Sequence, residues 1–288
     1  MSDSPASPPP FRLIRPAELR TAAVFASPHS GADYPQSLID RSVLDMARLR
    51  SSEDAFVDRL LADVPEQGAP LLAARYPRAW VDLNRAPDEL DSALIAGLER
   101  SHPGPRVAAG LGVIPRVVSG ARAIYRGKIP RMEAEARLAH VWHPYHAQIA
   151  ELLLTAHRRF GQAVLLDVHS MPSEALDALG PHRPDIVLGD RYGTSADRAL
   201  MREIEAAFEE EGLRVSRNSP FAGAFVAQRY GRPREGVHVI QIEIDRALYM
   251  DQKAIAPNGD FMAFKALMSR VTERIAAIGS QPLRHAAE

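Results

Sequence analysis

Two stretches of the chain set a histidine at the end of a branched apolar run. In "AVFASPHSG" the run stops just before His29, and "AVLLDVHSMPS" carries Asp167 and His169 where its own run closes. Burying such polar side chains is costly unless they meet partners. Two neutral imidazoles and one carboxylate leave a zinc ion one open position for water, the arrangement that hydrolytic zinc sites use. The sequence has no cysteine, which excludes disulfides, thiolate nucleophiles and sulfur ligands and leaves histidine and carboxylate as candidate donors. For the carboxylate, Asp54 opens a helical pattern in "SSEDAFVDRL" and could turn inward, with Glu53 and Asp33 as rivals. An acid at that place also suits a helix start through the macrodipole alone.

Glu243 lies in "VIQIEI", where alternation sets Val239, Gln241 and Glu243 on one face and Ile240, Ile242 and Ile244 on the other. A carboxylate facing the site could accept a proton from an activated water. Arg78, Asn84 and Arg85 offer planar donors suited to a substrate carboxylate.

These residues need a scaffold that gathers strand ends. Strand-like runs occupy 22–27, 70–76, 78–83, 112–118, 163–168, 185–190 and 236–244, and helical periodicity fills 54–61, 132–160, 195–212 and 261–278. The alternation predicts a three-layer α/β fold with a mixed, mostly parallel central sheet. In such folds ligands gather at the carboxyl ends of the strands, which is where "SPHSG", "DLNR", "DVHS" and "QIEID" fall. A flexible proline-rich leader is expected over 1–20, one catalytic domain over 21–280 and a tail over 281–288.

Thirty-five Lys and Arg against 36 Asp and Glu give a net charge of -1, so no overall field draws the chain to nucleic acid or an anionic membrane. A small-molecule partner fits better. No apolar run approaches the ~20 residues of a membrane span, the N-terminus lacks a secretory pattern, and the absence of cysteine suits a cytoplasmic enzyme. "HVWHPYHAQ" spaces His140, His143 and His146 by three, but Pro144 interrupts and no acidic partner follows, which favours ordinary helix histidines. Ser170 lacks the Gly-x-Ser-x-Gly elbow of a serine hydrolase.

The segments "SPHSGADYP", "SEDAFVDRL", "YPRAWVDLNR", "IYRGKI", "HPYHAQI", "LLDVHSMPS", "RPDIVLGDRYG", "RNSPFAGAFVAQRYGRP" and "GVHVIQIEIDRALYMD" together resemble the N-formylglutamate amidohydrolase family across roughly residues 22–252. That family is similar in turn to zinc carboxypeptidases and aspartoacylase-type deacylases, whose Asp-x-Asn-Arg element is matched by Asp82, Asn84 and Arg85. The resemblance implies a zinc-carboxypeptidase-like fold and hydrolysis of an N-acyl acidic amino acid. It implies zinc on His29, His169 and Asp54, with Glu243 as general base and Asn84 and Arg85 gripping a carboxylate. Arg78, Tyr125, Arg126, Arg217 and Arg232 are the further candidates for a dicarboxylate substrate. The deacylases join their first ligands as His-x-x-Glu, whereas position 32 here is Ala, which leaves the third ligand open.

Overall fold

The computed structural model describes residues 9–99 and 104–280; residues 1–8 of the expected leader and the tail 281–288 lie outside the described residues. Seven strands form the central sheet: β1 (Phe11–Ile14), β2 (Ala23–Ser27), β3 (Leu71–Ala74), β4 (Ala163–Met171), β5 (Ile186–Gly189), β6 (Val215–Arg217) and β7 (Val237–Asp245). Their order is β1-β3-β2-β4-β7-β5-β6. The β3, β2, β4 and β7 neighbours run parallel, β5 pairs with β6 in parallel, and β1 against β3 and β5 against β7 are antiparallel. This is the mixed, mostly parallel sheet that the strand and helix alternation predicts.

Helices cover both faces. Ile149, Leu152, Leu153 and Ala156 of the His143–Phe160 helix pack with Val24, Ala26, Leu165 and Val239. On the other face, Leu200, Met201, Ile204 and Phe208 of Arg198–Glu209 and Phe261, Met268 and Val271 of Phe261–Gly279 pack with Phe25, Val164, Leu166 and Ile240. Burial on both faces explains why β4 reads as a continuous apolar run. The period-2 pleat then puts Asp167 and His169 of β4 on the same side as Gln241 and Glu243 of β7, and the parallel register sets Asp167 opposite Gln241 and His169 opposite Glu243.

Several expected elements differ. Residues 78–83 form turns, with Trp80 and Val81 N–H groups on the Pro77 carbonyl, although Ala79, Val81 and Leu83 are buried. Alternating apolar residues there report burial of an irregular segment rather than a strand. Pro115 interrupts 112–118, of which only Val117–Val118 pairs, against Arg122–Ala123. The long helical pattern carries a π turn at Leu138–Trp142, between Arg131–Arg137 and His143–Phe160, because Pro144 cannot donate a backbone N–H. Phe11–Ile14, read as part of the leader, is an edge strand.

His146 shows how burial fixes a protonation state. Its Nε2 donates to the Leu83 carbonyl (3.0 Å), its Nδ1 lies 2.9 Å from the Tyr230 hydroxyl, and the ring stacks on Trp142. Burial lowers its pKa to about 3. The unfolded chain therefore binds a proton here near pH 6.5 that the folded chain refuses, so this contribution to stability is present above that pH and is lost as pH falls. Between pH 7 and 5 the loss is about 2 kcal/mol. In urea titrations His146→Asn should flatten that part of the acid-side slope; an unchanged slope would contradict the buried neutral imidazole.

Candidate active site

His29 sits two residues beyond β2, in a turn pressed against the segment after β3. Asp33 N–H donates to the Arg75 carbonyl (3.0 Å), and a Cβ on Gly31 would lie 2.2 Å from the Tyr76 carbonyl oxygen, so glycine alone allows that approach. Asp54 is tied to the same turn, its N–H donating to the His29 carbonyl at 3.0 Å. Phe56 then reverses the chain at φ 67 and leads into the short helix Val57–Leu60. Because β2 and β4 are parallel neighbours, the His29 turn and His169 meet at one carboxyl edge.

The two imidazoles present their Nδ1 atoms to each other at 3.1 Å, and Asp54 Oδ2 lies 3.1 Å from His169 Nδ1 and 3.5 Å from His29 Nδ1. All three residues are buried. Each ring has a carboxylate on its far nitrogen: Asp82 Oδ1 is 2.8 Å from His29 Nε2, and Asp167 Oδ2 is 3.0 Å from His169 Nε2. A carboxylate can only accept, and Asn84 Nδ2, although 3.1 Å from His169 Nε2, has its two protons facing Asp167 and Gln241, so these contacts place the ring protons on Nε2 and turn both Nδ1 lone pairs inward, toward the Asp54 oxygen. Three acceptors converging in a dry space repel one another unless a cation lies among them. Their separations are close to the roughly 3.3 Å between donors on a tetrahedral ion with bonds of ~2.0 Å. The donor set fits a divalent metal.

The electrostatics agree. Burial opposes ionisation of Asp54, yet the close approach of the His169 and His29 rings outweighs it and holds the carboxyl well below the usual range. Asp82 is held low as well, burial being outweighed by the Arg78 guanidinium, 2.7 Å away, and by His29. Burial would depress His169, but Asp167 and Asp54 raise it well above its ordinary value. A positive charge is therefore favoured at this spot. The rival acids are engaged elsewhere: Glu53 forms a forked pair with Arg50 (2.9 and 3.0 Å), and the exposed Asp33 meets Arg75 at 3.2 Å.

Beside this cluster opens a cavity of about 390 Å³. Arg78, Arg85, Arg246, Asp82 and Glu243 line it, with an apolar wall that includes Leu111, Val117, Val118, Met171 and Phe221. Burial first, with the Asp54 charge adding to it, pushes the Glu243 carboxyl up to about 7 against the opposing pull of His169, Arg78 and Gln241. A carboxyl poised near neutrality beside a cavity suits proton transfer. Arg85 is held by the carbonyls of Leu111 (3.1 Å) and Asn84 (2.9 Å).

Other expected site residues lie elsewhere. Asn84 is buried and spends its amide inside the protein, so it is not free to grip a substrate: Oδ1 accepts from Val226 N–H (2.8 Å), and Nδ2 reaches Asp167 Oδ2 and Gln241 Oε1, both at 3.2 Å. The Tyr125 hydroxyl accepts from Arg137 (2.8 Å) and, with the exposed Arg126, borders a different depression. Arg217 pairs with Glu205 on the outer surface, and Arg232 is exposed where it bridges to Val237. Loop position suggested these four; their side chains do not line the cavity. His140 and His143 are exposed on the helix surface.

Sequence reasoning missed Arg246, whose Nη2 donates to Asp54 Oδ1 (3.0 Å), Nε to Ser170 Oγ (3.1 Å) and Nη1 to the Ser51 carbonyl (3.2 Å). By occupying Oδ1 it leaves Oδ2 facing the imidazoles. No periodicity marks such a residue. Asp167 and Gln241 were noted but given no role at the site, although the pleat sets each on the same face as the site residue two positions further on.

The family model for N-formylglutamate amidohydrolase matches residues 21–250. An N-formylglutamate deformylase of Pseudomonas aeruginosa is 33% identical over 267 residues, covering 91% of this chain and 95% of that protein. One from Pseudomonas putida is 28% identical over 236 residues, covering 81% and 83%. The crystal structure of an N-formylglutamate amidohydrolase from Ralstonia eutropha JMP134 superposes with a TM-score of 0.88 at 36% identity, covering 94% of this chain and 98% of that one. The match runs through every segment that builds the cluster of His29, Asp54 and His169 and its cavity, and on it the chain belongs to the N-formylglutamate amidohydrolase family.

Proposed function

We propose that this protein hydrolyses the amide of N-formyl-L-glutamate, or of a closely similar N-acyl acidic amino acid, releasing formate and the free amino acid, with one zinc ion or a similar divalent cation held by His29, Asp54 and His169. One observation carries the reading: three buried, inward-turned donors stand beside a cavity that joins a carboxyl poised near neutrality to three guanidinium groups. When bound, the cation supplies Lewis acidity, polarising the scissile carbonyl and lowering the pKa of a water.

The remaining work falls to the chain. Glu243 accepts one proton of the attacking water as the carbon–oxygen bond forms. It then delivers that proton to the amide nitrogen as the carbon–nitrogen bond breaks, because an amine leaves far better than its anion. Arg85 and Arg78, with Arg246 behind Asp54, give the cavity a positive field that suits a substrate with two carboxylates. The apolar wall excludes bulk water from the reacting bond and strengthens each of these interactions. Asp82 and Asp167 keep the two rings in the tautomer that points Nδ1 at the cation.

The test is formate release from N-formyl-L-glutamate beside N-acetyl- and N-succinylglutamate and N-formyl derivatives of neutral amino acids, with and without a chelator. N-formyl-L-glutamate should be the fastest. Chelation should remove at least about 99% of the rate, consistent with the several kcal/mol a catalytic metal supplies, and added zinc should restore it. Turnover that a chelator leaves untouched would overturn the metal-dependent reading.

A further inference from the structure

The proposed base is held by a neighbour whose own orientation is dictated by the backbone. Gln241 stands two residues before Glu243 on the same face of β7, and its Nε2 donates to Glu243 Oε1 at 2.8 Å. Its Oε1 accepts from Ala224 N–H (3.0 Å) and from Asn84 Nδ2 (3.2 Å). Asn84 is oriented in the same way, since its Oδ1 accepts from Val226 N–H. Backbone N–H groups can only donate. Turning either amide over would set donor against donor, and for Gln241 would also put its carbonyl against the Glu243 carboxylate. The backbone at 224–226 therefore selects one orientation of Asn84 and one of Gln241, and through them fixes one oxygen of Glu243. Gln241 is buried and does not line the cavity, so it is not placed to touch substrate.

We propose that Gln241 is a positioning residue: locked by Ala224 and Asn84, it holds Glu243 Oε1 and leaves Oε2 as the oxygen that exchanges the proton. The inference rests on the base role proposed above for Glu243. A base able to rotate would present Oε2 in the productive direction only part of the time, which lowers kcat without weakening substrate binding. Outer-shell partners of this kind typically contribute 10- to 100-fold.

The decisive experiment is a double-mutant cycle on the full chain with N-formyl-L-glutamate. Gln241→Met keeps the length and volume but removes the amide. Its kcat should fall about 10- to 100-fold, with KM within about twofold and bound zinc unchanged. In a Glu243→Gln background the same change should cost less than about twofold more, because the residue acts only through the base. An equal loss in both backgrounds would overturn the proposal in favour of general structural damage, as would a single variant of normal kcat. If Glu243→Gln alone were near normal in turnover, the base assignment itself would fail, a result distinct from either. Thermal melting checks folding. Should the methionine variant not fold, Gln241→Leu carries the same cycle, since it too removes the amide: kcat should fall with KM and bound zinc unchanged when Glu243 is present and should barely change in the Glu243→Gln background, and an equal loss in both would overturn the proposal.

Discussion

Glu243→Gln should lower kcat about 10³-fold while leaving the fold and metal content unchanged, the loss expected when a positioned general base is removed. The substitution is nearly isosteric, and its amide oxygen can still accept from Gln241 where Glu243 Oε1 does now. Burial raises the Glu243 carboxyl to about 7, so its ionised form is disfavoured in the folded protein relative to the unfolded chain. The sign follows from proton counts: between the ordinary value of about 4.3 and about 7 the folded state holds the proton more tightly, so stability declines as pH rises through that window. A neutral amide escapes this, and the variant should melt no lower than the parent above pH 7. Loss of activity with unchanged or raised stability marks a residue kept for chemistry rather than packing. In the parent, kcat/KM should fall with unit slope on the acid side, at or below about pH 7, because the base must be ionised and a nearby cation favours ionisation further. The acid limb assigned to Glu243 should vanish in the variant. Parallel pH profiles would assign the limb to another group.

Asp54→Asn should abolish tight metal binding and activity together. Asparagine can still accept from Arg246 through its carbonyl, so the buried guanidinium keeps its partner. Its amino group then points at the two Nδ1 atoms, a donor where the carboxylate offered a third acceptor, and occupies the space between the lone pairs. The variant should fold, and should lose metal affinity by more than the 10- to 100-fold typical of outer-shell changes. Zinc should raise the melting temperature of the parent, since a ligand bound only by the folded state stabilises it, and should not do so for the variant. Asp54→Ala is a less clean test, because it also leaves Arg246 facing an empty buried site.

Much of this site was legible because a strand buried on both faces has so few reasons to end in polar groups. Alternation sets Glu243 on the Gln241 face of its strand, and His29 and His169 are read from their positions at the ends of apolar runs. Parallel pairing of β2, β4 and β7 then makes their carboxyl ends meet, which the α/β pattern implies in general terms. Contacts between loops were harder to read. Nothing local in "DLNR" says that Asp82 turns to His29 while Asn84 turns inward to Asp167 and Gln241. Arginines in loops carry no signal of direction, and so Arg217 and Arg232 were expected at the cavity while Arg246, ending the β7 segment, was not. The alternation over 78–83 misled for a related reason: apolar spacing reports which side chains are buried, not whether the backbone between them finds a sheet partner.

The most direct test loads the purified, metal-stripped protein with zinc, measures the stoichiometry, and reads the ligands by X-ray absorption at the zinc edge. One equivalent bound tightly, with backscatter from two imidazoles and an oxygen shell, is what convergence of His29, His169 and Asp54 requires. Failure to retain zinc, or an ion whose spectrum holds no imidazole, would contradict it.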